Sequence, residues 1–407
     1  DENIVLNLSR MNRILDWDPE NGRISVEPGV TLKQLWEYVL EDGWWPPVAT
    51  GTMHVTIGGM AAVNAHGKNA WKVGGIGDHI YEFDLLLPTG EILTCNREQN
   101  SDIFHAAIGG VGMLGCFTSL TLHLKRIYSG LIHVEGSTKP NLSQTLHWFE
   151  NHLHNSDYLV GWLDAFATGN KLGRSELHRA NHLRQDEDPI PHQTMRIPNQ
   201  QLGENIMGFV PRSILWMFQR PFWNHYGMRY VNSVKFQLAQ FRGHHQFQQP
   251  HALYHFLLDN FNWRKPFGPG GLIQYQPFVP IENAEEALHK LLVVCQRHRM
   301  QNFLSVIKRH KPDPFLLSYQ PDGFSMAMDF QITNRNREKV VRLVREMDEI
   351  VLAANGRFYF AKDSTVRPQI AQHYLGSKAI DQFKTIKHRC DPNGILESNL
   401  WRRVFVS

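Results

Sequence analysis

Long apolar runs are missing from this chain. No stretch approaches the roughly 20 apolar residues that a membrane-crossing helix requires. Cysteine is scarce: Cys95, Cys116, Cys295 and Cys390 lie far apart with no C-x-x-C, which excludes a zinc ribbon and a dense disulfide framework. Charge of one sign is lacking too. The net charge is +3, too weak to argue for nucleic acid, and none is expected as a partner. The common catalytic signatures are also absent. There is no G-x-S-x-G elbow and no Walker A loop, so hydrolase and kinase readings lose their main support. Histidine is plentiful, at 22 residues, yet His178 and His182 lack the Glu of H-E-x-x-H, and no metal site is expected. No G-x-G-x-x-G opens a long helix after a first strand, which argues against a Rossmann unit. An initial Met and a signal peptide are lacking as well. Asp1-Glu2-Asn3 leads straight into a strand-like IVLNL at 4–8, and an N-terminal segment is expected to precede it.

The 407 residues, 42% apolar and 20% charged, are those of an ordinary folded chain of about two domains. Residues 1–128 read as strands and short helices with three glycine clusters. Residues 23–27 form a strand. Thr31 caps a helix stopped by Gly43, and 81–87 with 91–94 make a hairpin around Pro88-Thr89-Gly90. Ser101 caps a helix through Ala107, and 117–124 is a strand. From residue 129 the pattern changes. A helix is expected at 141–153 and a strand at 158–166. Residues 170–250 show little periodicity. Within them, 214–230 (ILWMFQRPFWNHYGMRY) reads either as core or as an exposed rim for a lipid-like ligand. Then come a strand at 271–280, a helix capped by Asn283 with Glu286, strands at 303–308 and 324–332, and a helix over 336–354. Cys295 falls on a buried helix face and reads as core. The tail, 391–396, turns into a final strand.

Residues 50–69, TGTMHVTIGGMAAVNAHGKN, carry the first chemical signal. Glycines let backbone approach a bulky ligand, and successive N–H groups in a turn can cradle an anion. The stretch ends on His66 and Lys68. Gln274 and Gln276 are two apart in a strand and share a face. Lys308 and Lys362 sit in otherwise apolar strands, with Tyr359 close to Lys362. Two lysines and two glutamines of this kind read as a polar wall in a substrate cavity.

These segments, together with GDHIYEFDLLLPTGEI, NSDIFHAAIGGVGMLG, GLIQYQPFVP and FYFAKDS, resemble the FAD-dependent oxidoreductases of the vanillyl-alcohol-oxidase type, which share the PCMH-type FAD-binding fold. The resemblance implies an α+β, two-domain protein. An FAD-binding domain at 1–128 would lack its N-terminal subdomain. A substrate domain at 129–355 would be built on an antiparallel sheet flanked by helices, and 356–407 would return to the FAD domain. The implied cofactor is FAD, lined by Gly51, Thr56, Ile57, Gly58, Gly59, Val63, Asn64, His66, Cys116, Phe117 and Tyr359. The implied catalytic residues are Lys362, Tyr359 and His66. Lys68, Gln274, Gln276, Lys308, Ser325 and Lys362 would contact substrate. The resemblance is strongest to the branch that oxidises a polyprenyl-phosphate-linked pentose from alcohol to ketone, with a short-chain reductase as partner. It places the protein in the cytoplasm or peripherally at the inner membrane, touching it through 214–230. The alternatives are an aldonolactone or alditol oxidase and, in another class, a flavin-free binding protein that has kept the fold. Two departures stand out. Ala327 stands where family members have a cysteine, and Ser325 where they have an asparagine.

Overall fold

Thr31 shows how local chemistry sets the first element. Its hydroxyl accepts from the Gln34 N–H at 3.1 Å, and Gln34 Oε1 accepts from the Thr31 N–H at 2.9 Å. This capping box starts the helix Leu32–Val39. Leu32, Leu35, Trp36 and Val39 then bury one stripe. The computed structural model describes residues 5–203, 205–206, 210–260, 263–362 and 365–406.

The first layer is a five-stranded antiparallel sheet in the order Ile14–Asp18, Arg23–Val26, Cys116–His123, Ile80–Leu86, Ile92–Asn96. The expected hairpin and the Thr31-capped helix are both present. Residues 5–8 are not strand; residue 4 lies outside the described residues. The helix at Ser101–Ala107 is capped by the Asn100 backbone without a side-chain bond, so Ser101 is its first residue rather than its cap.

The second layer is a nine-stranded antiparallel sheet. Its order is His245–Pro250, Leu131–Lys139, Ser175–His182, Tyr158–Leu163, Ser305–His310, Gly323–Gln331, Pro277–Pro280, Arg357–Phe358, with Leu272–Tyr275 also paired to Gly323–Gln331. The last strand lies past residue 355. The helix expected to be capped by Asn283 begins at Ile281 after Pro280. Asn283 instead donates to the Ala354 carbonyl at 3.2 Å. Residues 170–250, which lacked periodicity, hold the 18-residue helix His225–Arg242. In the tail, the expected final strand is a short helix, Asn399–Trp401, running into Arg402–Val406.

The two faces of this sheet differ because side chains alternate. Helices Leu142–His152, Ile281–Arg297 and Arg337–Ala353 cover the face that carries Leu177, Ile307, Met326 and Tyr275. Tyr275 donates to the buried Asp348 of the third helix at 3.0 Å. Cys295 packs there, fully buried beside Met347. The opposite face carries Trp162, Lys308, Ser325, Gln276 and Gln274. Helix His225–Arg242 lies over one end of it, with Lys235 paired to Glu176 at 3.2 Å and set over the Trp162 ring at 4.0 Å. The first domain closes the other end. After Phe358 the chain runs to helices Pro368–Leu375 and Ser377–Cys390, and Arg389 of the second pairs with Asp102 of the first domain.

Candidate active site

Register brings the polar residues together. Antiparallel pairing sets Gln274 opposite Asp329 and Phe278 opposite Ser325, and Ser325 in turn opposite Lys308. The expected single strand at 271–280 is interrupted at Gln276, but its register is the same on both sides of the break. Gln274 and Gln276 therefore share a face, as period-two spacing requires. Gln274 donates to Asp329 at 2.5 Å. Gln276 donates toward His66 Nε2 and Ser325 Oγ, both at 3.2 Å.

Two narrow clefts meet at Tyr359. One is lined by Gln274, Gln276, Tyr359, Lys362 and Thr365. The other is lined by Val63, Gly109, Val111, Tyr319 and Tyr359. Tyr359 packs on Tyr319 at 4.1 Å between ring centroids and on His66 at 5.2 Å. Lys362 is exposed as a residue. The protein crowding its ammonium lowers its pKa, and Asp329 pulls the other way. Lys308 is half-buried, and burial with the Lys362 charge brings it to about 8. Lys68 is buried and falls to about 7, from desolvation and then the Lys308 charge. Asp329 is raised to about 6 by burial. Among the described residues no carboxylate pairs with Lys308 or Lys68.

Several expected site residues have protein partners that define their roles. Both His66 ring nitrogens are engaged, Nδ1 with Tyr319 Oη at 2.9 Å and Nε2 with Gln276. Burial, then Lys308, His310 and Lys362, holds its pKa well below the usual histidine range, so it is neutral. Ser325 is fully buried behind Gln276. Lys68 donates to the Tyr254 carbonyl and lies over that ring at 4.0 Å. In the glycine stretch the anion-cradle expectation fails. The N–H groups of Ile57, Gly58 and Gly59 bond Val30 O, Pro28 O and Thr56 Oγ1 at 2.8, 2.9 and 3.2 Å. Gly58 is required by packing, since a Cβ there would lie 2.6 Å from Pro28 Cβ. Gly51 packs under Leu258. Phe117 is buried against Phe83 at 4.9 Å. Residues 116–119 pair with the Ile80–Leu86 strand on one side only, because Arg23–Val26 pairs no further than Leu120. His178 and His182 fall on a strand, where four residues span roughly 13 Å, too far to share a metal. Among the described residues no group of three or more His, Cys, Asp or Glu is placed to hold one.

The residues fit a flavin. Asn64 adopts φ +45°, and its buried Nδ2 has no protein partner. Gly109 and Gly112 have φ +77° and +71°; open space stands where a Cβ of Gly112 would be, and a Cβ at Gly109 would meet only Asn64 Cβ, at 3.7 Å. With Val63, Val111 and the open edge at Cys116, they offer backbone and apolar surface beside Tyr359. Sequence reading missed Asp329, Tyr319, His310 and Gln320. Only strand register and the loop at 311–322 bring them in, and no local motif marks them.

The chain belongs to the FAD-dependent oxidoreductases with a PCMH-type FAD-binding fold, enzymes that act on CH–OH groups with FAD as cofactor. Within that class it is similar to decaprenylphosphoryl-β-D-ribose oxidase of Mycolicibacterium smegmatis, 30% identical over 98% of this chain and 85% of the relative. Residues 1–96 match the FAD binding domain model, and residues 274–404 match the D-arabinono-1,4-lactone oxidase model. L-gulonolactone oxidase of Bos taurus is 27% identical over 39% of this chain and 35% of its own. D-lactate dehydrogenase of Anaerostipes hadrus is 34% identical over 29% and 26%.

Proposed function

We propose that the protein oxidises a secondary alcohol of a polyprenyl-phosphate-linked pentose to a ketone. The observation that carries this reading is a run of three neighbouring lysines behind and beside the cleft: Lys362 lines it, Lys308 feels the Lys362 charge and Lys68 feels that of Lys308, and the last two lack a carboxylate partner among the described residues. Such a cluster suits a substrate that brings its own negative charge. FAD, when bound, supplies the two-electron acceptor for the hydride leaving the carbinol carbon. Lys362 holds the alcohol oxygen, and its lowered pKa eases passage of the hydroxyl proton. Tyr359 walls the cleft between the cofactor and substrate sides. Lys308 and Lys68 attract the phosphate.

Segment 214–230 supports a lipid-bearing substrate. Met217, Phe218, Phe222 and Tyr226 are exposed and Met228 is buried, a balance that supports the rim reading over the core reading. No Asp or Glu occurs between 205 and 258. We take this basic, aromatic surface as a peripheral membrane contact. No helix among the described residues is long and apolar enough to cross a membrane. The ketone product would pass to a reductase of the short-chain type.

A second reading, oxidation of a free aldonolactone, is favoured by the match of residues 274–404. Product analysis separates the two: polyprenylphosphoryl-ribose should yield its keto form with flavin bleaching, while a lactone alone should not. Turnover of the lactone without turnover of the lipid substrate would overturn the first reading. Lys362→Ala should retain FAD and slow substrate-driven bleaching by about 100-fold or more. Bleaching at the original rate would remove Lys362 from the chemistry.

A further inference from the structure

A continuous hydrogen-bonded chain passes through the substrate cleft and reaches well beyond it. On one side Gln276 meets His66, His66 meets Tyr319, and Tyr319 donates to the Asn64 carbonyl at 2.5 Å. On the other side Gln276 meets Ser325, and Ser325 meets His310 Nε2 at 2.8 Å. His310 Nδ1 meets Gln320 Oε1 at 3.3 Å, and Gln320 donates to Asp313 at 3.2 Å. Each end is therefore a group that can only accept: a peptide carbonyl and a carboxylate.

These two ends decide every proton between them. Tyr319 gives its only hydrogen to Asn64 O, so it must accept from His66 Nδ1–H. His66 Nε2 is then an acceptor, and one N–H of Gln276 points at it. Asp313 likewise takes an N–H of Gln320, whose carbonyl accepts from His310 Nδ1–H. His310 Nε2 then accepts the Ser325 hydroxyl, and Ser325 accepts the second N–H of Gln276. Both histidines are neutral: burial holds His66 well below the usual range and His310 at about 3. One assignment satisfies all the links, and it uses both amide hydrogens of Gln276. Its carbonyl oxygen is left outside the network, on a residue lining the cleft with Tyr359 and Lys362.

We propose that Ser325, His310 and Gln320, with Tyr319 on the far side, are positioning residues that lock the Gln276 amide so that its carbonyl oxygen faces the cleft as a fixed acceptor for a substrate hydroxyl. The inference deepens the proposed function, since it takes the cleft as the place where a polyol substrate sits. A glutamine free to turn over would offer N–H and C=O alternately. A locked one rewards a hydroxyl donor at one point and leaves a buried acceptor unpaired when that hydroxyl is missing.

The test has two arms. In FAD-loaded protein labelled with ¹⁵N-glutamine, the Gln276 side-chain NH₂ signal is identified by its loss in Gln276→Ala. It should exchange slowly with solvent in the wild type, and at least about tenfold faster in Ser325→Ala combined with Tyr319→Phe. Equal protection in both proteins overturns the lock. The second arm is kinetic, with farnesylphosphoryl-ribose and D-arabinono-1,4-lactone as probes. Ser325→Ala and His310→Phe should each raise KM by about three- to tenfold with kcat less affected, and neither should add to Gln276→Ala in the double variant. Full additivity overturns the proposal. If the wild type turns over neither probe, the functional reading fails while the NMR arm still decides the lock.

Discussion

Lys68 and Lys308 give the site a pH dependence that a neutral cavity would not have. Their pKa values, about 7 and about 8, are depressed first by burial, then by the charge of Lys308 on Lys68 and of Lys362 on Lys308. Each is cationic below its pKa and neutral above it. KM for a phosphorylated substrate should therefore rise by about tenfold or more from pH 7 to pH 9. KM for an uncharged lactone should stay nearly flat over the same interval. Steady-state kinetics on both across that range checks this, and parallel curves would remove the two lysines from phosphate binding. At this scale much was legible. Gln276 and Lys308 stand out as polar residues in apolar stretches, and two-residue spacing put both glutamines on one face. Lys362, expected in a strand, instead lies in a turn closed by its N–H on the Tyr359 carbonyl, because the strand ends at Phe358. His310 and Asp329 had no such mark. Their meaning comes from partners outside any local motif: Asp329 meets Gln274, 55 residues away along the chain, and His310 meets Ser325, 15 residues on, across a strand pair.

Among elements, the short helix Ile57–Ala62 shows a glycine pair serving structure where ligand contact was expected. Its first amides are satisfied within the protein, and Gly58 sits against Pro28. Gly58→Ala should destabilise the protein by about 1–3 kcal/mol through overpacking, with weakened FAD retention. A melt of the holoprotein and flavin release on dilution would measure it, and an unchanged Tm would show that Pro28 yields easily. The structural use of this stretch was not legible, because a glycine that admits a ligand and one that admits a neighbouring proline look alike in sequence. Helix His225–Arg242 went unseen for a related reason. Its outward face carries Tyr226, Tyr230, Leu238 and Phe241, so the usual contrast between a buried and a wet stripe is blurred. Helices Ile281–Arg297 and Arg337–Ala353 were plain because one side of each is polar and the other packs on the sheet.

Across the whole molecule, the contact between the two domains buries imidazoles that have few partners. His255 and His251 are fully buried near Trp45, at 5.6 and 5.0 Å between rings. Burial lowers both well below the usual range, and holds His182 at about 4. These residues are neutral when folded and titrate near 6.5 when unfolded. The contribution of these histidines should be level above about pH 7 and fall as pH drops from about 6.5 toward 4, where the unfolded chain takes up protons that the folded one refuses. Thermal melts from pH 8 to pH 4.5 test this, and a flat Tm below pH 6.5 would contradict it.

The large sheet also acts as a ruler. Lys362 follows the strand at one edge, and helix His225–Arg242 lies over strands Leu131–Lys139 and Ser175–His182 toward the other. From Arg357–Phe358 to Leu131–Lys139 there are six strand steps in the order of the sheet, roughly 29 Å at about 4.8 Å each. A molecule that touches both the lysine and the outward aromatics must be long and extended. A free pentose is too short to meet both.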